Sequence, residues 1–345
     1  MTLAAGLAGC GAQPAESDAA ALAAARYADR KVVAITIDGL RPGAVRAMGK
    51  SQLPALHRMI REGASTLNAR TATEQTRTMP NHSGVFTGRR VSGTYGHQVD
   101  FNDDEAATDI HTVAGRYMPS MFDVVHDRGG RVEFYTGKDK FAFFDRSWDS
   151  VRGAADRTGA DNGRDKIDRF LYSSDTDGLV DKVIASVKSR GSKLTYLHLR
   201  SPDVAGHKHG YFSEQYRAAV KRSSARVGRI MNAIAAEPSL RSTTAVVLTA
   251  DHGGEGTNHS RITRAVNYTV PFMVWGAGIA KGQSLYVLNR DRVDPGSSQP
   301  DYFSGRPPVR NLDLASLVTT YLGYGQVRGG LAPHTQPLRA WARGS

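Results

Sequence analysis

Lys31–Arg41 reads KVVAITIDGLR: seven residues, five of them β-branched, run without interruption into Asp38 and a glycine. A short, continuous β-branched run of this kind is the pattern of a strand buried on both faces, and a turn has to follow it. The same design recurs downstream. Lys193–Leu199 (KLTYLHL) precedes Asp203 by a few residues, and Thr243–Leu248 (TTAVVL) runs through Thr249 and Ala250 into Asp251 and His252. Arg131–Tyr135 and Val270–Trp275 read as further strands. Leu53–Glu62, Ser120–Asp127, Gly178–Ser189, Ser213–Ala236 and Leu312–Leu322 carry helical spacing. Strands alternating with helices predict an α/β fold: a mostly parallel central sheet covered by helices on both faces.

In such a sheet the binding crevice lies beyond the carboxyl ends of the strands. Three clusters of ligand-type side chains fall there: Asp38, then Asp203 and His207 in SPDVAGHKHG, then Asp251, His252 and His259 in TADHGGEGTNH. Each has an ordinary explanation when taken alone. Asp before Gly is a common turn, and Asp203 with His207, four apart, needs only a helical turn that Gly206 weakens. Together, each after a strand, they fit a pair of divalent cations held by carboxylate and imidazole, with Zn²⁺ as the expected metal.

Thr78 in TRTMPNHSGVFTG stands before a helix whose first turn holds Pro80. A threonine hydroxyl is a weak nucleophile that a dication can activate, and a helix N-terminus favours phosphate. An N-cap at Thr78 is the competing explanation. Lys138 and Lys140 in YTGKDKF follow a strand and offer cations to a phosphate; a solvated loop is the bland reading.

Composition sets the outer limits. With 345 residues, 40% of them hydrophobic, the chain can bury a large core, and no internal repeat or shift in composition divides residues 31–345. The net charge of +12 is scattered rather than grouped with aromatics, so a specific nucleic-acid surface is not expected, while anionic substrates are drawn inward. The single cysteine, Cys10, closes LAGC, which resembles a lipobox, although Met1–Gly9 is short and lacks a basic residue. Residues 1–30 therefore read as a truncated lipoprotein signal and flexible tether, with an extracytoplasmic, cell-surface or secreted location and a lipid at Cys10 as the only membrane attachment. Residues 153–169, rich in Asp, Arg and Gly, read as a mobile surface insertion beside the substrate entrance.

The motifs DG at Asp38, TRTMPNHSGVFTG, DVAGHKHG, TADHGG, VPFMVWGAGI and NLDLASLVTTYLG, taken in this order, resemble the alkaline phosphatase superfamily, and within it the type I phosphodiesterase and nucleotide pyrophosphatase branch. The resemblance runs from about Lys31 to about Gly323 and implies that superfamily's three-layer sandwich. It implies that Asp38, Thr78, Asp251 and His252 hold one zinc, with Thr78 as the attacking group. Asp203, His207 and His259 would hold the other. His259 follows His252 by seven residues, the spacing of compact bacterial relatives, and is preferred to His334. Asn102 in HQVDFN resembles the asparagine that donates to a phosphate oxygen.

The implied activity is hydrolysis of phosphodiesters or nucleotide pyrophosphates through a phosphothreonine, with a small anionic phosphate ester as the partner. Phosphomonoester or phosphonoacetate-type hydrolysis is the alternative, because lysine pairs like Lys138 and Lys140 occur in phosphonoacetate hydrolases. A phosphomutase of the same superfamily is a further reading, and a lipid-anchored binding pseudoenzyme is the non-enzymatic one.

Overall fold

The computed structural model describes residues 27–104, 108–156, 163–303, 305–330 and 336–341. Cys10 and most of the expected tether, together with His334, lie outside the described residues. Eight strands form one sheet: β1 (Lys31–Ile37), β2 (Ala64–Arg70), β3 (Val132–Thr136), β4 (Arg169–Tyr172), β5 (Leu194–Leu199), β6 (Thr244–Thr249), β7 (Thr269–Gly276) and β8 (Gln283–Ser284). Their spatial order is β4-β3-β5-β1-β6-β7-β2-β8. The first five are mutually parallel; β7 is antiparallel to both its neighbours, and β8 is parallel to β2. All of β1 except Lys31 is buried, and β5 and β6 are buried throughout, as expected for strands covered on both faces.

The helices of nine residues or more are α1 (Pro42–Gln52), α2 (Pro54–Glu62), α3 (Thr78–Thr87), α4 (Thr176–Ser189), α5 (Ser201–His209), α6 (Glu214–Ala236) and α7 (Asp313–Tyr321). Their starts are written locally. Proline occupies the first turn of α1, α2 and α5, where its missing N–H costs nothing. Asp175 and Ser213 cap α4 and α6 through their side chains, and Ser120 with Asp123 forms a capping box for Met121–His126. Helix α6 packs against α1, α2, α4 and α5; α7 packs against α3 and Met121–His126. These two helical groups cover the sheet as the two outer layers.

Every strand and helix named from the sequence is present, with ends shifted by one or two residues. Strands β2, β4 and β8 and helix α1 were not expected. ASTLNAR of β2 mixes polar and apolar residues because the strand is only partly buried and its pairing with β7 is interrupted by a register shift between Thr66 and Ala69. The described ends of the 153–169 segment are tied down: Lys166 is fully buried, with Nζ 2.6 Å from Asp127 and 2.9 Å from Asp156, and Arg169 opens edge strand β4.

Candidate active site

Because β1, β3, β5 and β6 are parallel, the turns after them open on one edge of the sheet. Asp38 follows β1 directly, Lys138 follows β3, Asp203 lies in the first turn of α5 after β5, and Asp251 and His252 follow β6. Gly39, at φ +69°, makes the turn that Asp38 needs, and its N–H donates to Asp251 Oδ1 at 3.1 Å. Asp203 and His207 share one face of α5, and Gly206 does not break the helix: a Cβ there would lie 2.7 Å from the Tyr211 ring, so the glycine makes room for that ring.

The seven side chains expected to form one site come together. Asp38 Oδ1, Asp251 Oδ2 and Thr78 Oγ1 lie 3.4, 3.2 and 3.4 Å from His252 Nε2. His207 Nε2 and His259 Nε2 lie 3.4 and 3.8 Å from Asp203 Oδ1, which is itself 3.9 Å from His252 Nε2. Two triads result, Asp38/Asp251/His252 and Asp203/His207/His259, each with its donor atoms within 4.8 Å of one another. Among the described residues one other such group occurs, His126/Asp127/Asp156, and it already holds the ammonium of Lys166.

The three imidazoles are set in one tautomer. His252 Nδ1 donates to Gly253 O at 2.8 Å, His259 Nδ1 to Thr76 O at 2.6 Å and His207 Nδ1 to Thr257 O at 3.0 Å. A carbonyl can only accept, so each ring, when neutral, turns an Nε2 lone pair inward. His207 Nε2 and His259 Nε2 then face each other at 3.1 Å, a contact that needs a cation or a proton between them. Burial and the neighbouring His252 hold His259 down to about 3, so its own Nε2 carries a lone pair near neutral pH. Asp38 Oδ1 and Asp251 Oδ2 are buried and accept no hydrogen bond. Orphaned carboxylate oxygens and inward imidazole nitrogens are the donor set of a Zn²⁺-type ion, so the residues fit the implied metals.

Charge is unevenly spread. Burial opposes the charge of Asp38, but Lys138 at 2.6 Å and His198 at 3.0 Å, both on Oδ2, carry it well below the usual carboxylate range. Burial, Asp38 and Asp203 together push Asp251 up. Lys138 is drawn up by Asp38, Asp203 and Asp251 despite its burial. Its Nζ also reaches Asp203 Oδ2 at 2.7 Å and Thr78 Oγ1 at 3.5 Å.

Thr78 is the first residue of α3, after an extended Arg77. Its hydroxyl makes no capping bond, so it points to the site and not to its own helix. Asn102 Oδ1 accepts from Met79 N at 3.1 Å, next to Thr78, which leaves the amide nitrogen as the side chain's remaining donor. Lys140 is tied to Asn102 O at 2.6 Å rather than to the triads. Three supporting residues escaped the sequence reading. His198 orients Asp38, Tyr211 OH donates to Asp203 Oδ1, and His82 Nδ1 donates to the Thr78 carbonyl at 2.8 Å. A histidine within the apolar run LTYLHL was the one local sign of the first.

Residues 32–303 match the family model for type I phosphodiesterase / nucleotide pyrophosphatase. GPI ethanolamine phosphate transferase 1 of Yarrowia lipolytica is 27% identical over 164 residues, 46% of this chain and 16% of that protein. Its Candida glabrata counterpart is 26% identical over 162 residues with the same coverage, so the match spans about a sixth of these curated relatives. Among solved structures, inactive murine ectonucleotide pyrophosphatase / phosphodiesterase 5 in complex with AMP superposes at a TM-score of 0.58, with 13% identity over 85% of this chain and 95% of that one. A Vibrio parahaemolyticus protein of the alkaline phosphatase superfamily gives 0.55, with 12% identity over 88% and 68%. These structures share the fold. With the family model covering most of the chain, the protein belongs to the type I phosphodiesterase / nucleotide pyrophosphatase family.

Proposed function

We propose that the chain is a two-metal phosphodiesterase or nucleotide pyrophosphatase in which Thr78 attacks phosphorus. The observation that carries this is the Thr78 hydroxyl, free of its helix and within 3.5 Å of both His252 Nε2 and Lys138 Nζ at the meeting point of two ligand triads. Asp38, Asp251, His252 and Thr78 would hold one ion, and Asp203, His207 and His259 the other, with Zn²⁺ as the proposed metal. When bound, such ions polarise the phosphoryl group and lower the pKa of a coordinated hydroxyl or water.

The chain supplies the rest. Thr78 Oγ1 gives up its proton to solvent as it forms the new P–O bond, and the ester oxygen leaves with the electron pair of the bond that breaks and takes up a proton from solvent. Water then cleaves the phosphothreonine and restores the hydroxyl. The Asn102 amide nitrogen and the Lys138 ammonium face the incoming group as donors to its nonbridging oxygens. His82, bonded to the Thr78 carbonyl, keeps the start of α3 in place.

The names of the curated relatives describe transfer of an ethanolamine phosphate, and breaking a phosphodiester is the step that such a transfer shares with diester hydrolysis. Lys138 also favours a second reading, hydrolysis of a monoester or phosphonate, whose extra negative charge it would meet. A binding pseudoenzyme fits poorly, since none of the seven positions is lost. No helix among the described residues is long and apolar enough to cross a membrane. LAGC supports attachment through a lipid at Cys10, with residues 31–345 as one extracytoplasmic catalytic unit.

The test is turnover by zinc-loaded protein of an aryl phosphate diester, an aryl phosphate monoester and phosphonoacetate. The diester should be fastest. Thr78→Ala should lose roughly a thousandfold or more in kcat while keeping its zinc, as expected when the attacking group is removed from an otherwise intact site. Equal turnover by that variant would remove Thr78 from the mechanism.

A further inference from the structure

Lys138 stands on the turn after β3, and its ammonium occupies the point from which both triads are reached. Nζ lies 2.6 Å from Asp38 Oδ2, in one triad, and 2.7 Å from Asp203 Oδ2, in the other. The side chain is 13% exposed, while those of Asp38 and Asp203 are 0% and 4% exposed, so solvent screens these contacts little. Asp251 is the third buried carboxylate of the cluster and has no cation of its own among the described residues. Three acids therefore share one resident positive charge.

Resting on the two-metal reading, we propose that Lys138 is the built-in counter-cation of this centre: it pairs a carboxylate of each triad, and dications enter against its charge. Three features follow from the geometry. The lysine keeps Asp38 and Asp203 at contact distance from one cation, so the acids do not spring apart. Any dication bound through those two residues comes close to an ammonium in a poorly screened setting, and its affinity is held below what the bare ligands would give. As the carboxylates turn to the ions, the contact left to Nζ is the one with Thr78 Oγ1, where the phosphoryl oxygens arrive. Lys138 is thus a positioning residue that tunes metal affinity and is then delivered to the substrate.

This assignment makes a prediction of unusual sign. Removal of a residue that merely supports the fold weakens metal binding, whereas removal of a competing cation strengthens it. Zinc affinity of the full chain is to be measured by competition with a chromogenic chelator at fixed pH, for wild type, Lys138→Met and Lys138→Arg. Lys138→Met should bind zinc at least about tenfold tighter than wild type, and Lys138→Arg, which keeps the charge, should stay within about threefold. The zinc-free Lys138→Met protein should melt below zinc-free wild type and gain more in Tm on adding zinc.

If Lys138→Met folds only with zinc, the same contrast is read from the rate at which purified, zinc-loaded protein loses zinc to excess chelator, and the variant should lose it more slowly. Zinc held equally or less tightly by Lys138→Met overturns the assignment and leaves the two-metal reading standing. Wild type that takes up no zinc overturns both.

Discussion

The carboxylates and the imidazoles of the site are held by different means. Asp38 Oδ2 is shared by His198 at 3.0 Å and Lys138 at 2.6 Å, which leaves Oδ1 to face His252. His198 is neutral, since burial lowers it more than Asp38 raises it, and its Nδ1 lies 3.2 Å from Thr136 Oγ1. A partner that orients a ligand in this way contributes roughly 10- to 100-fold to metal affinity. His198→Ala should therefore weaken zinc binding by that factor in chelator competition, the opposite direction from Lys138→Met although both side chains touch the same oxygen. An unchanged affinity would show that Asp38 needs no such support. The sequence announces Asp38 through its place after a buried run. It hides His198, because only the β1–β5 register, which sets Thr36 beside His198, brings that ring to the acid.

Helix α5 shows how an element is built around its cargo. Asp203 and His207 need one helical face, and Tyr211, just past the end, needs the space over Gly206 to reach Asp203 Oδ1. Alanine in a helix interior ordinarily gains about 0.5–1 kcal/mol over glycine. Here its Cβ would meet the Tyr211 ring at 2.7 Å, and overpacking of this kind costs roughly 1–3 kcal/mol. Gly206→Ala should thus lower Tm instead of raising it and should reduce activity by displacing the partner of Asp203. A higher Tm would mean that the ring moves aside freely. The glycine looked like a weakness in the sequence, because the ring that requires it is not part of the helical pattern. Elements with strong local signals, such as β1 and α6, were legible almost to the residue. Strand β2 was not, since it is only partly buried and irregularly paired and so lacks a continuous apolar run.

Across the whole molecule, loops distant in sequence are joined through a partly buried acid, Glu74. Glu74 accepts from Arg90 Nε, from the Ser92 N–H and hydroxyl, from Thr73 Oγ1 and from Tyr302 OH, and so binds the approach to Thr78 to two other loops. Burial alone would raise its pKa, but the bonds from Tyr302 and Arg90 bring it down from 4.5 to about 2. A carboxylate depressed in the folded state stabilises fully above its unfolded pKa, and that contribution is lost as pH falls through the folded value. Glu74→Gln should cost about 2 kcal/mol in urea unfolding at pH 7, with the gap from wild type closing as pH drops from about 4.5 towards 2. A gap independent of pH would assign the loss to packing instead of charge.

The same long-range construction governs when the metals arrive. Asp38 and Asp251 are 213 residues apart (251 − 38), and the triad of Asp38 is completed only by Asp251 and His252, which follow the neighbouring strand β6. An unfolded or emerging polypeptide offers at most fragments of either triad, and closing so long a loop around an ion is entropically costly. Under the two-metal reading, loading is the last act of biogenesis. The ions available at the moment the chain completes its fold then decide which metal it carries.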